Sequence, residues 1–353
     1  MSAIDATGYG TIEAGADPGD TDAALVVVER LTKTFDVSKP WLNRVIEQEP
    51  RRLLKAVQDV TLAIRHRETF ALVGESGSGK STVAKMVVGL LPPSQGSVTI
   101  AGTGMWPRAD ASEVRRLRRR IQMIFQDPYA SLNPRWRVGR IVSDPIRAFG
   151  LLSSEEDIQR EVGKLLRTVG LDPADAHKFP HEFSGGQRQR ICIARALSSK
   201  PEFLVCDEPT SALDVSVQAQ ILNLMRDLQD EFGLTYLFIS HNLAVVRHMA
   251  TRIGVMYLGR LVEVAAARDI FRAPQHPYTR MLLDAVPDIA MSGRPRRMVD
   301  GEIPNPISPP SGCAFHPRCP LANARCRSET PLRRRSGHGE VACHAVEEGR
   351  AAP

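Results

Sequence analysis

Three features of the sequence predict an α/β fold with a mostly parallel sheet covered by helices on both faces. From residue 184 onward, short apolar runs alternate with helical patterns: helix 187–199, strand 203–206, helix 216–231, strand 236–239, helix 242–250 and strand 253–258. Upstream, the apolar run FALV at 70–73 has the length and composition of a strand buried at a sheet centre. A glycine-rich turn and a helical pattern follow it. Between these blocks, 136–183 carries helical spacing without strands, for example Ile158, Val162, Leu165, Leu166 and Val169, and reads as an inserted helical subdomain.

In chain order, residues 1–24 are mostly Gly, Ala, Asp and Thr, which predicts a disordered leader. That leader lacks the basic start and apolar block of a signal peptide. Residues 26–28 open the first strand, 36–55 lack periodicity and read as an inserted loop, and 57–64 form the next strand. After 70–73, Val83, Met86, Val87 and Leu90 recur at helical spacing until Pro92 and Pro93 end the helix. Strands at 98–100 and 121–125 flank a basic helix at 113–120. Beyond about 266 prolines and arginines multiply. The expected division is therefore a main domain at 25–265 and a C-terminal extension at 266–353, in keeping with a 353-residue chain. Apolar runs are strand-sized, far short of a membrane span, so a soluble intracellular protein is expected. Lys and Arg outnumber Asp and Glu by 46 to 40, too small a surplus to argue for nucleic acid.

The chemistry begins at 74–81, GESGSGKS, the G-x-x-x-x-G-K-[ST] pattern placed between a buried strand and a helix. Gly74, Glu75, Ser76, Gly77, Ser78 and Gly79 would fold backbone N–H groups round phosphate oxygens, with the helix N-terminus at Ser81 and Thr82 facing them. Lys80 would reach the outer phosphates, and the Ser81 hydroxyl would hold Mg²⁺. The run FLVCDE at 203–208 places Asp207 at a strand end, where it can bind the Mg²⁺ water shell. Glu208 is then positioned to accept a proton from an attacking water. A second anion site is predicted at SGGQ, Ser184, Gly185, Gly186 and Gln187, opening a helix. One nucleotide does not need two such sites within one chain. They make sense if two subunits face each other and each lends its SGGQ to the other's turn.

With these motifs in this order, the sequence resembles the nucleotide-binding subunit of ABC transporters over 25–265. The fold this implies is a P-loop NTPase (RecA-like) parallel core with an antiparallel β subdomain, the helical insertion and a Cys-containing extension. SGGQ matches the family's signature motif, with Phe183 in place of the commoner Leu. By the same resemblance Gln126 of IFQDP is the glutamine that senses Mg²⁺ and contacts the membrane subunit. Asp214 of SALD lies in the loop that crosses the dimer interface, His241 is the switch histidine that contacts the γ-phosphate, and Phe35 stacks on adenine. The segments 267–287 and 313–322, with QDPYASLNP and HEFSGGQRQR, resemble the ATPases of oligopeptide and dipeptide importers. The resemblance implies ATP hydrolysis coupled to peptide uptake at the cytoplasmic face of the membrane. Implied partners are two transmembrane permease subunits, a second ATPase (a paralogue or a second copy) and, indirectly, an extracytoplasmic binding protein. Import of nickel or glutathione-like solutes is the alternative. A nucleic-acid-associated ATPase of this family is a more distant one, because no stacking aromatics are interleaved with the arginines at 115–120 and 333–335. Those runs read instead as solvated surface near anionic lipid.

Of six cysteines, Cys192 and Cys206 lie in apolar runs and read as small buried hydrophobes. Cys313, Cys319, Cys326 and Cys343 are spaced C-x5-C-x6-C-x16-C, which lacks the close knuckle of structural zinc sites and the common ferredoxin spacings. Spacing alone leaves the metal undecided, with His316, His338 and His344 as further candidate ligands. The resemblance implies a [4Fe–4S] cluster on the four cysteines, with zinc as the alternative.

Overall fold

The computed structural model describes residues 24–39, 50–107, 110–285 and 302–351. The expected leader at 1–24 falls almost wholly outside these residues. Its main sheet is assembled from β3 (Thr69–Val73), β6 (Ile121–Ile124), β7 (Phe203–Asp207), β8 (Thr235–Ile239), β9 (Arg252–Tyr257), β10 (Arg260–Ala266), β11 (Arg334–Ser336) and β12 (Gly339–Val341). The order is β11-β12-β10-β9-β3-β8-β7-β6, with β9, β3, β8, β7 and β6 parallel and the other pairings antiparallel.

Every residue of β3, β7 and β8 is buried, as expected for strands covered on both faces. The two-residue period of a strand divides these side chains between two cores. Leu204 and Cys206 of β7 face the helical insertion, α3 (Val138–Phe149) and α4 (Glu155–Thr168), together with α5 (Gly185–Leu197) and α6 (Val215–Phe232). Phe203 and Val205 face α1 (Lys80–Val87), α2 (Ala111–Arg120) and a second, antiparallel sheet. That sheet comprises β1 (Ala24–Asp36), β2 (Leu53–Arg65), β4 (Gln95–Ile100) and β5 (Thr103–Trp106) in the order β2-β1-β4-β5.

Three expectations are corrected. The loop read at 36–55 is narrower than expected: strand reaches Asp36 on one side and begins at Leu53 on the other, β1 and β2 pairing so that Asp36 lies opposite Leu53, while 37–39 and 50–52 carry no regular structure and residues 40–49 lie outside the described ones. Pairing, absent from a one-dimensional pattern, overrides the weak periodicity there. β10 was not anticipated. It continues β9 through a two-residue turn in which Leu258 and Gly259 both have positive φ, the geometry of a tight hairpin. The arginines at 333–335 are not uniformly solvated surface. Arg333 is half-buried, donates to the Thr61 carbonyl of β2 at 2.7 Å and pairs with Glu340 at 2.9 Å, and burial lowers its pKa. The basic α2 is also partly tied down, Arg120 to Glu202 in a two-bonded pair and Arg115 to the Ala148 carbonyl.

The C-terminal segment is continuous with this architecture. β12 pairs with β10, and Tyr278 and Phe315 join Val73, Ile253 and Tyr257 in one apolar core. Cys192 and Cys206 are buried, and burial raises both thiol pKa values. Among the described residues, no helix is long and apolar enough to cross a membrane.

Candidate functional site

The carboxyl ends of β3, β6, β7 and β8 converge, the place where parallel sheets bind ligands. Loop 74–79 leaves β3 and enters α1. Its last residue, Gly79, has φ 103°, and a Cβ there would lie 2.3 Å from the Ala56 carbonyl oxygen, so only glycine lets the loop close against β2. Ser76 and Gly77 are exposed at the tip. The Lys80 ammonium donates to the carbonyl oxygens of Gly74 at 2.8 Å and Glu75 at 2.9 Å. Burial lowers its pKa, and the nearby charges of Glu208, Asp207 and Glu75 oppose that shift.

Ser81 Oγ donates to Asp207 Oδ1 at 2.9 Å. Burial at the end of β7 raises the Asp207 pKa, and the Ser81 bond works the other way. Glu208 follows with φ 48°, a left-handed conformation that a side chain seldom adopts, held by its N–H donating to the Ile239 carbonyl at 2.9 Å. Its carboxylate lies between two side chains: Gln126 Nε2 donates to Oε2 at 3.0 Å, and His241 Nδ1 lies 2.9 Å from Oε1. Gln126 and His241 each stand two residues beyond their strands, β6 and β8.

Lys80, Ser81, Asp207, Glu208, Gln126 and His241 are thus one hydrogen-bonded and electrostatically coupled group. The SGGQ residues are held elsewhere. Ser184 caps α5 in a reciprocal box with Gln187, the Gln187 side chain accepting from the Ser184 N–H at 3.0 Å. Gly186 packs against Val217 at the start of α6, which Asp214 caps by accepting from the Val217 N–H at 2.9 Å. Phe183 is buried in the helical core. Phe35 lies on β1 opposite Leu54, two residues from the Ala56 that closes on Gly79, with the Lys33 ammonium 5.1 Å from its ring centre. Thr82 is half-buried in the first turn of α1.

Two residues that sequence reasoning passed over touch the loop. Tyr278 Oη accepts from the Glu75 N–H at 2.9 Å, and Arg318 grips the Glu75 carboxylate with both terminal nitrogens, at 2.8 and 2.9 Å. Both lie in segments already noted for their motif, QHPYT and HPRC, but no local pattern links them to a residue more than 200 positions away.

The four C-terminal cysteines gather in one neighbourhood. Burial is the main cause that pushes Cys313 and Cys319 up to about 11, and the charges of the other cysteines add to it. His316 Nδ1 is 3.0 Å from the Cys313 carbonyl and His344 Nε2 is 2.9 Å from that of Glu329. Among the described residues no group of three or more His, Cys, Asp or Glu is arranged to hold a metal ion. That finding supports neither the expected [4Fe–4S] cluster nor zinc, its alternative.

Comparison with known proteins places this geometry. The ABC transporter family profile matches residues 57–211, and that of the oligopeptide/dipeptide transporter C-terminal region matches 262–326. The chain is 49% identical over 326 residues to a putative peptide import ATP-binding protein of Brucella abortus, covering 92% of this chain and 95% of that one. It is 50% identical over 325 residues to the di/tripeptide transport ATP-binding protein DppF of Pseudomonas aeruginosa, covering 92% and 98%. Identity to the oligopeptide transport ATP-binding protein OppF of Salmonella typhimurium is 44% over 329 residues, covering 92% and 96%. Among solved structures, the ATP-binding cassette MJ0796, a dimer in a post-hydrolysis state bound to ADP and Pi, superposes with a TM-score of 0.60 at 28% identity. That match covers 69% of this chain and 99% of that one.

Proposed function

The chain belongs to the ATP-binding subunits of ABC transporters, and from that footing we propose that it hydrolyses ATP to drive import of di- or oligopeptides. The observation that carries the reading is the Glu208 carboxylate, held between Gln126 and His241 one residue beyond Asp207. The match of 262–326 to the oligopeptide/dipeptide transporter region, and the names of the relatives, support the peptide class.

In this reading the loop N–H groups and Lys80 bind the β- and γ-phosphates. Ser81 and Asp207, whose oxygens are 2.9 Å apart, are suited to hold Mg²⁺, which when bound neutralises charge developing on the phosphate oxygens. Glu208 takes the proton of the attacking water, and His241 and Gln126 fix its carboxylate until substrate arrives. Phe35 supports the adenine. The capped α5 N-terminus at Ser184–Gly185–Gly186–Gln187, with Asp214 beside it, faces the nucleotide of a second ATPase subunit. That subunit is a copy of this chain or a paralogue, and the dimeric state of MJ0796 supports such a pairing. Closure and reopening of the pair would move two membrane-embedded permease subunits, to which this chain binds peripherally at the cytoplasmic face, and a separate binding protein would deliver the peptide.

At the C-terminus we read the four thiols, Cys313, Cys319, Cys326 and Cys343, as ligands of a [4Fe–4S] cluster. A cluster takes four thiolates, and the influence of these four cysteines on one another's pKa supports their lying in one neighbourhood. Iron and acid-labile sulfide in anaerobically purified chain measure this; zinc in their place overturns it.

The deciding experiment is uptake of labelled di- and oligopeptides in cells whose only copy of this chain is Glu208→Gln. Lost uptake of one peptide length names the cargo. Undiminished uptake of every peptide removes the peptide reading.

A further inference from the structure

Glu75 is the one carboxylate inside the phosphate-binding loop, and the C-terminal segment holds both its main chain and its side chain. Arg318, 2% exposed at its side chain, meets it in a two-bonded pair and sits 5.9 Å from the ring centres of Tyr257 and Phe315. Tyr278 fixes the Glu75 N–H. The Glu75 carbonyl in turn accepts from the Lys80 ammonium, so a single loop residue joins the C-terminal segment to the phosphate-reaching lysine.

A bare carboxylate in this loop would repel the anionic phosphates the loop is shaped to bind, and most strongly where water is scarce. The buried guanidinium neutralises it and, being a planar fork, also fixes its direction. We propose that Arg318 is a positioning residue for nucleotide binding: it neutralises and anchors Glu75 from the C-terminal segment, so that the ATP affinity of the loop depends on that segment. The inference rests on the reading of 74–81 as the ATP site.

The test is titration of a fluorescent ATP analogue against the full-length chain, comparing wild type, Arg318→Met, Arg318→Met combined with Glu75→Gln, and Lys80→Ala. Arg318→Met is expected to bind about tenfold more weakly. Removing the uncompensated charge in the double variant is expected to restore affinity to within about threefold of wild type. Both variants carry the same change beside Cys319, so damage to the thiol region or to general packing would persist in the double variant. Wild-type affinity in Arg318→Met, or a double variant as weak as the single, overturns the proposal. Wild type binding no better than Lys80→Ala instead sinks the ATP-site reading, and this proposal with it. If Arg318→Met does not fold, Arg318→Gln with and without Glu75→Gln decides the matter: the glutamine keeps a polar group in the slot but removes the charge, and its defect should again be relieved by Glu75→Gln.

Discussion

Glu208 shows how one residue can be placed by backbone geometry rather than by its own preferences. Its positive φ puts the carboxylate between Gln126 and His241, and the strain is borne by a strand-end hydrogen bond to Ile239. If it is the base, Glu208→Gln keeps the shape and both neighbours while turnover falls about 10²–10⁴-fold. Phosphate release measured beside analogue binding separates the two effects, and brisk release would end the assignment. Asp207 offers the opposite trade. Burial holds its pKa above the ordinary carboxylate value. A raised folded-state value contributes stability below the unfolded pKa and loses it as pH rises through the folded one, so at neutral pH the ionised group opposes folding. Asp207→Asn is therefore expected to raise the nucleotide-free unfolding midpoint by about 2 °C while abolishing Mg²⁺-dependent hydrolysis. A lower midpoint at pH 7.5 in calorimetry refutes this account. The identities of these residues were readable because motif and strand end coincide in sequence. The link of Glu208 to Gln126 and His241 was not, because it exists only where separate strands stop together.

At the scale of elements, SGGQ has a packing role besides the ligand role proposed for it. A Cβ on Gly186 would lie 2.4 Å from Val217 Cγ1, and a β-branched side chain at the start of α6 has little room to turn away. Gly186→Ala is thus expected to destabilise the chain by ~1–3 kcal/mol despite the better helix propensity of alanine, and Val217→Ala should relieve most of the cost. A denaturant-based double-mutant cycle measures that coupling, and additive effects would deny the contact. The parallel core was legible because 70–73, 203–206 and 236–239 are short apolar runs bounded by turns, and the observed strands exceed them by no more than one residue at either end. β5 and β10 were not, since TGMW and RLVEVAA acquire strand character only through their partners β4 and β9.

For the molecule as a whole, the decisive feature is that the C-terminal segment completes structures begun hundreds of residues earlier. β12 covers the outer edge of β10, Arg333 reaches the Thr61 carbonyl of β2, and Phe315 packs on Tyr257 and Tyr278. Composition marked this region as different, rich in Pro and Arg, but could not show that its few large apolar residues are spent on the main domain. An open β10 edge and an uncovered aromatic core are both liabilities in water, the first as a template for pairing with other chains. Burial of Phe315 alone is worth roughly 1.5–3 kcal/mol. A chain ending at residue 301 is therefore expected to unfold several degrees lower and to self-associate, and by losing Arg318 it should also bind nucleotide more weakly. Light scattering and thermal unfolding of that truncated chain, with a nucleotide titration beside them, decide between two pictures. A monomer with the full-length midpoint would mean the segment is an appendage. Association together with weakened nucleotide binding would mean that the phosphate loop and the sheet edge share one C-terminal support.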